Sequence, residues 1–113
     1  MDLLVSARPG RGCTVVGVRG DLDMATSPRL QNSLQELIDA GDRRVVVDLA
    51  GVGFMDSSAL GALVVTYKAL REAGGRLALA AAGPGVRYVL SITSVDQVIE
   101  LYDSVEAAEA AEA

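Results

Sequence analysis

Histidine is absent from all 113 residues. That removes the Ser-His-Asp and Cys-His mechanisms and the commonest metal ligand in one step. Cysteine occurs once, at Cys13, which excludes an intrachain disulfide and a cysteine-rich metal centre. Tryptophan is missing and aromatics make up only 4%, so the core has to be aliphatic. Positive charge is in the minority: ten Lys and Arg stand against fifteen Asp and Glu, a net charge of -5. Proteins that grip a phosphate backbone usually carry a basic face, so no nucleic-acid partner is expected. No apolar run reaches the roughly 18 residues that a membrane span requires, and no membrane partner is expected. The opening MDLLVSARPG has neither the basic start nor the long apolar core of a secretory leader. A reducing, cytoplasmic setting fits these absences. Gly10, Gly12, Gly74, Gly75, Gly83 and Gly85 are scattered turn glycines, and none makes a phosphate-cradling loop followed by Gly-Lys-Ser/Thr. No cofactor and no metal is expected.

Half of the chain is hydrophobic, enough for a real core, and its length is that of a single domain, here residues 1–113. LLVSAR (3–8) and CTVVGVRG (13–20) are short β-rich runs joined by the turn Pro9-Gly10-Arg11-Gly12. Cys13, inside the second run, is expected in the core. Asp21-Leu22-Asp23 follows as a polar loop. Ser27-Pro28 has the form of an N-cap followed by an N1 proline. Leu30, Leu34, Leu37 and Ile38 then share one helical face, and Gly41 stops the helix as a C′ glycine. RRVVVDL (43–49) is apolar without alternation, as in a strand covered on both sides.

A second helix is predicted from Ser58 to Ala73, with Leu60, Leu63, Val64, Tyr67 and Leu70 inward. Lys68 and Arg71 lie on its solvated flanks, and Gly74-Gly75 stops it. RLALAAA (76–82) is the next buried strand, and Gly83-Pro84 opens a third helix with Val86, Val89 and Leu90 inward. QVIELY (97–102) is a last strand. Asp103 with Glu106 forms a capping box for a C-terminal helix over 103–113. That helix has little large to bury and is expected to fray at its end. The order β-β-α-β-α-β-α-β-α implies an α/β fold. Its mixed sheet has four to five strands, an antiparallel hairpin first and parallel βα units after it, with about four helices.

The segment of greatest interest is MDSSALG, residues 55–61, where buried strand gives way to buried helix. Asp and Ser are preferred N-caps, because their side-chain oxygens accept hydrogen bonds from the free amides of the first turn. A cap explains one polar residue, whereas three stand in a row. A small hydroxyl at a helix start is also accessible to another protein's active site. The face of the second helix opposite its apolar stripe carries Ser58, Ala62, Val65, Ala69 and Glu72. Such a smooth ridge of small residues suits docking, although alanine is also simply a good helix former.

GDLDMATSPRL, VVVDLAGVGFMDSSALGALV and REAGGRLALAAAGPGVRYVL together resemble the bacterial anti-sigma factor antagonists, which are stand-alone STAS domains. The resemblance spans roughly residues 3–102. It implies that Ser57, the first serine after the aspartate, is phosphorylated by a partner that is both anti-sigma factor and serine kinase. It also implies that a PP2C-type phosphatase reverses the modification. Ala59 stands where many members have glycine, a departure that leaves the acceptor in place. Between Ser57 and Ser58 the assignment rests on the resemblance alone. The resemblance further places an acidic loop, here Asp21 and Asp23, near the kinase contact; both could equally be turn formers. Asp56 either helps to position the acceptor serine or only caps the helix. The expected partner-binding set is Asp21, Asp23, Asp56, Ser58, Ala62, Val65 and Ala69, on a chain that is a monomer or a weak dimer.

Two other readings compete. A STAS domain could be a non-switching scaffold, or an accessory subunit of a stress-signalling or transporter complex. An enzyme with Ser57 as nucleophile and Asp56 as base is disfavoured, because an adjacent aspartate is poorly placed and no histidine or lysine completes the geometry. No catalytic residue is therefore assigned.

Overall fold

Val45, Val46 and Val47 are all buried. Successive side chains of a strand point to opposite faces, so three buried valines in a row require a sheet covered on both sides. The computed structural model, which describes residues 3–112, shows how this is done. The strands are β1 (Leu4–Pro9), β2 (Thr14–Leu22), β3 (Arg44–Met55), β4 (Arg76–Ala80) and β5 (Glu100–Tyr102). They form one sheet in the order β1-β2-β3-β4-β5. β1 runs antiparallel to β2, and the remaining pairs are parallel. The helices are α1 (Ser27–Asp39), α2 (Ser57–Glu72), α3 (Pro84–Ile92) and α4 (Val105–Glu112).

Val45 and Val47 enter the larger core, with Leu30 and Leu34 of α1, Leu63 and Leu70 of α2, and Val86 and Leu90 of α3. Val46 points the other way, into a smaller cluster with Ala78, Ala80 and Val105 and Ala108 of α4. The alanines of β4 keep that second layer thin. α4 covers only part of its face. Over β1 and β2 a broad depression of about 700 Å3 remains, with Leu4, Arg8, Arg19 and Asp48 in its lining; Asp21, Asp23, Asp56 and Ser57 are not part of it.

The sequence-predicted mixed sheet and four helices are present, with corrections at the ends. β3 continues through Ala50–Met55 where a loop was expected, and β2 runs on to Leu22. Gly51 makes the extension possible: a Cβ there would lie 2.7 Å from Arg19 Cγ and 2.9 Å from the Val18 carbonyl oxygen. Between Gly17 and Asp21 the β2–β3 register shifts twice, which lets both strands bend and still end side by side. Gly75 is needed for a similar reason, since a Cβ would lie 2.1 Å from the Arg43 carbonyl oxygen that accepts the Arg76 amide.

β5 is only three residues long, because Val95–Gln97 forms a 3-10 turn. Cys13 sits in the β1–β2 turn just ahead of β2, half-buried against the smaller cluster. α4 is capped by Ser104, whose Oγ accepts the Ala107 amide at 3.0 Å, and not by Asp103. Asp103 instead pairs with Arg87 of α3 at 2.8 Å. The expected fraying at the chain's very end falls on Ala113, outside the described residues.

Candidate functional site

The extended β2 and β3 deliver two polar turns to the same edge of the sheet. Asp21 pairs with Phe54 and Leu22 with Met55. One step further, the Asp56 amide donates to the Leu22 carbonyl at 3.0 Å. Leu22 is fully buried beneath this junction. The Asp21-Leu22-Asp23 and Asp56-Ser57-Ser58 segments are therefore neighbours held by backbone pairing.

In the first turn, Asp23 Oδ1 accepts the amides of Ala25 at 2.9 Å and Thr26 at 3.1 Å. The Thr26 hydroxyl donates to the Asp21 carbonyl at 2.7 Å and accepts the Asp23 amide at 3.0 Å. Thr26, not Ser27, is the N-cap residue of α1, so Pro28 stands in the first turn one position later than the N1 place expected. The Ser27 side chain turns inward instead and is 3% exposed.

In the second turn, Asp56 is the N-cap of α2, with an extended backbone and its Oδ1 accepting the Ser58 amide at 2.9 Å. The Ser58 hydroxyl donates to the same oxygen at 2.5 Å. Ser58 Oγ is also 3.0 Å from Ser27 Oγ. A hydroxyl has one proton, and that of Ser58 goes to Asp56, so Ser27 is the donor in this second bond. The Ser58 hydroxyl, the chief cause, together with the amides of Ser58 and Ala59, holds the Asp56 carboxyl below its ordinary pKa; partial desolvation opposes this. Asp56 thus stays a carboxylate at neutral pH and organises Ser58. Ser57 differs. It is exposed, and among the described residues its hydroxyl has no hydrogen-bond partner.

The sequence-predicted ridge on α2 is displaced. Ala62 is 3% exposed and Ser58 and Ala69 are half-buried, because α1 packs along that side of α2. The exposed line is Ser57, Gly61, Val65, Lys68 and Glu72. Of the expected partner-binding set, Ala62 is removed from the surface, while Val65 remains open at 48%. Asp21 and Asp23 are half-buried at the edge of the sheet.

Two residues escaped the sequence reading, and a third, Ser27, was read only as a cap. Met24 (81% exposed) and Phe54 (50% exposed) add large apolar side chains to the rim of the two turns. A methionine beside an acidic loop and a phenylalanine ahead of the buried Met55 carried no periodic signal. Ser27 did carry one: it lies three residues before Leu30, on the inner stripe of α1.

A family model for the STAS domain matches residues 5–108. An anti-sigma F factor antagonist of Paenibacillus polymyxa is 30% identical over 92% of this chain and 90% of its own length. An anti-sigma-B factor antagonist of Staphylococcus aureus is 31% identical over 80% of this chain and 84% of its own. Among solved structures, an anti-sigma factor antagonist from Mycobacterium paratuberculosis superposes with a TM-score of 0.89 at 29% identity, covering 97% of this chain and 93% of that one.

Proposed function

The chain belongs to the STAS-domain family, and from that premise we propose that it is an anti-sigma factor antagonist switched by phosphorylation of Ser57. In this reading the unmodified protein binds an anti-sigma factor and so releases a sigma factor. The anti-sigma factor is also a serine kinase, and its phosphorylation of Ser57 ends the binding. The observation that carries the assignment to Ser57 is the contrast between adjacent hydroxyls: Ser58 is engaged on both sides, and Ser57 is exposed and unengaged. The protein is a regulator and not an enzyme. In the transfer, Ser57 Oγ forms the bond to the γ-phosphorus of ATP, its proton passes to a base of the kinase, and ADP departs. A PP2C-type phosphatase resets the switch by hydrolysing the ester. The setting is cytoplasmic; among the described residues no helix is long and apolar enough to cross a membrane.

Charge explains how the modification acts. A phosphoserine brings about -1.5 to -2 charges and three acceptor oxygens. At the first residue of α2 the helix dipole and free amides tolerate it, so the fold survives. The surface changes instead. Asp21, Asp23 and Asp56 already stand at this edge, and a dianion among them turns an apolar rim of Met24 and Phe54 into a strongly acidic one. A partner face matched to the unmodified rim is repelled and sterically blocked. Asp21, Asp23 and Val65 join that rim as partner contacts, while Asp56 and Ser58 shape the turn from within.

The test is to incubate the protein with ATP and its cognate anti-sigma kinase and to map phosphate by mass spectrometry. Phosphate is expected on Ser57, lost in Ser57→Ala and retained in Ser58→Ala. Binding without any phosphate would make the chain a constitutive scaffold and remove the switch.

A further inference from the structure

Ser27 lies on α1, thirty-one residues before Ser58, yet its buried hydroxyl has Ser58 Oγ as its hydrogen-bond partner. We propose that Ser27 is a positioning residue that sets which of the two adjacent serines is modified, by locking Ser58 and leaving Ser57 free. The inference rests on the phosphorylation reading above.

The argument follows the protons. Ser58 gives its proton to Asp56 at 2.5 Å. Its oxygen then accepts from Ser27 at 3.0 Å. To attack phosphorus, Ser58 would have to release both partners and leave the hydroxyl of Ser27, itself 3% exposed, as a donor with no acceptor, an unfavourable state. Hydrogen bonds in a chain also polarise one another, so donation from Ser27 tightens the Ser58–Asp56 bond. Ser57 meets none of these barriers. Its neighbour on the exposed line of α2 is Gly61, which presents no side chain. The discrimination between the two adjacent hydroxyls therefore draws on a residue of a different helix as well as on Asp56. Removing the Ser27 hydroxyl takes away one of the two bonds that hold Ser58 and leaves Asp56 as the cap of α2.

The test has two arms. The first needs no kinase: the solvent exchange of the serine hydroxyl protons is followed through deuterium isotope shifts on the Cβ carbons. Ser58 is expected to exchange more slowly than Ser57, and Ser27→Ala to accelerate Ser58 by about fivefold, the ratio that one lost hydrogen bond represents. The second arm measures kinase-dependent phosphate on Ser58 in Ser57→Ala and in Ser57→Ala/Ser27→Ala. Incorporation on Ser58, a trace in Ser57→Ala, is expected to rise in the double variant, again by about fivefold. A gain is informative, because a merely structural role for Ser27 predicts a loss on Ser58. Ser27→Cys, which keeps the shape with a weak donor, is expected to behave as Ser27→Ala does and guards against packing artefacts. Equal exchange at Ser58 with and without the Ser27 hydroxyl, or no gain on Ser58 where Ser57 of the unaltered chain is phosphorylated, would overturn the proposal. If no serine takes phosphate, the switch reading fails, and the exchange arm alone decides the role of Ser27.

Discussion

The starts of α1 and α2 lie side by side at one edge of the sheet, and each carries an aspartate followed by hydroxyl residues. They are solved differently. At α1 the groups close on themselves: Asp23 accepts two amides, Thr26 bridges Asp21 and Asp23, and Ser27 is buried. At α2 Asp56 and Ser58 close in the same way, yet Ser57 is left over. Local stability accounts for the side chains of Asp23 and Thr26 at the first start and of Asp56 and Ser58 at the second, and it leaves Ser57 out. A group that the fold does not use is the one to examine for a partner's use.

The comparison breaks most severely at the residue beneath both starts. Leu22→Ala opens a cavity where the two turns are fastened and is expected to cost about 2–5 kcal/mol by denaturant unfolding. A loss near zero would mean that the turns are held independently. Next, Asp23→Ala removes the acceptor of the first turn and is expected to cost about 1 kcal/mol, measured in the same way. Ser57→Ala, by contrast, should leave the unfolding midpoint unchanged, since its hydroxyl has no hydrogen-bond partner among the described residues.

The pH dependence sharpens the second start. Asp56 has its folded pKa held below the ordinary carboxylate value. Its contribution to stability is therefore present above the unfolded pKa and is lost as pH falls through the lower, folded one. Ser58→Ala removes the chief cause, so carboxyl NMR titration should show the Asp56 midpoint moving upward. The smallest effect is expected at an exposed ion pair outside both starts. Breaking the exposed Arg87–Asp103 pair with Asp103→Ala should change stability by less than about 1 kcal/mol, and less still in high salt.

Much of this was legible in the chain, for identifiable reasons. The unbroken run Val45–Val47 announced a sheet covered on both faces, and Gly41 and Gly83-Pro84 marked helix boundaries by backbone constraints that other residues meet poorly. The resemblance placed GDLD near the site of MDSS, and the β2–β3 pairing brings the two together. What stayed hidden depended on tertiary partners. Gly51 and Gly53 looked like loop residues, whereas Gly51 serves a close approach to β2. The α2 ridge was rotated because the spacing of small residues does not tell which side α1 will cover. Ser27 read as a cap by residue type, and only its partner on α2 gives it another role. Adjacent serines are indistinguishable in sequence; their hydrogen bonds separate them.

The most direct test of the switch is the affinity of unmodified and Ser57-phosphorylated protein for the same anti-sigma kinase, by calorimetry, with far-UV circular dichroism of both forms alongside. The expected result is an affinity at least about tenfold weaker after phosphorylation, about 1.4 kcal/mol, with unchanged secondary structure. Equal affinity of the two forms would contradict it.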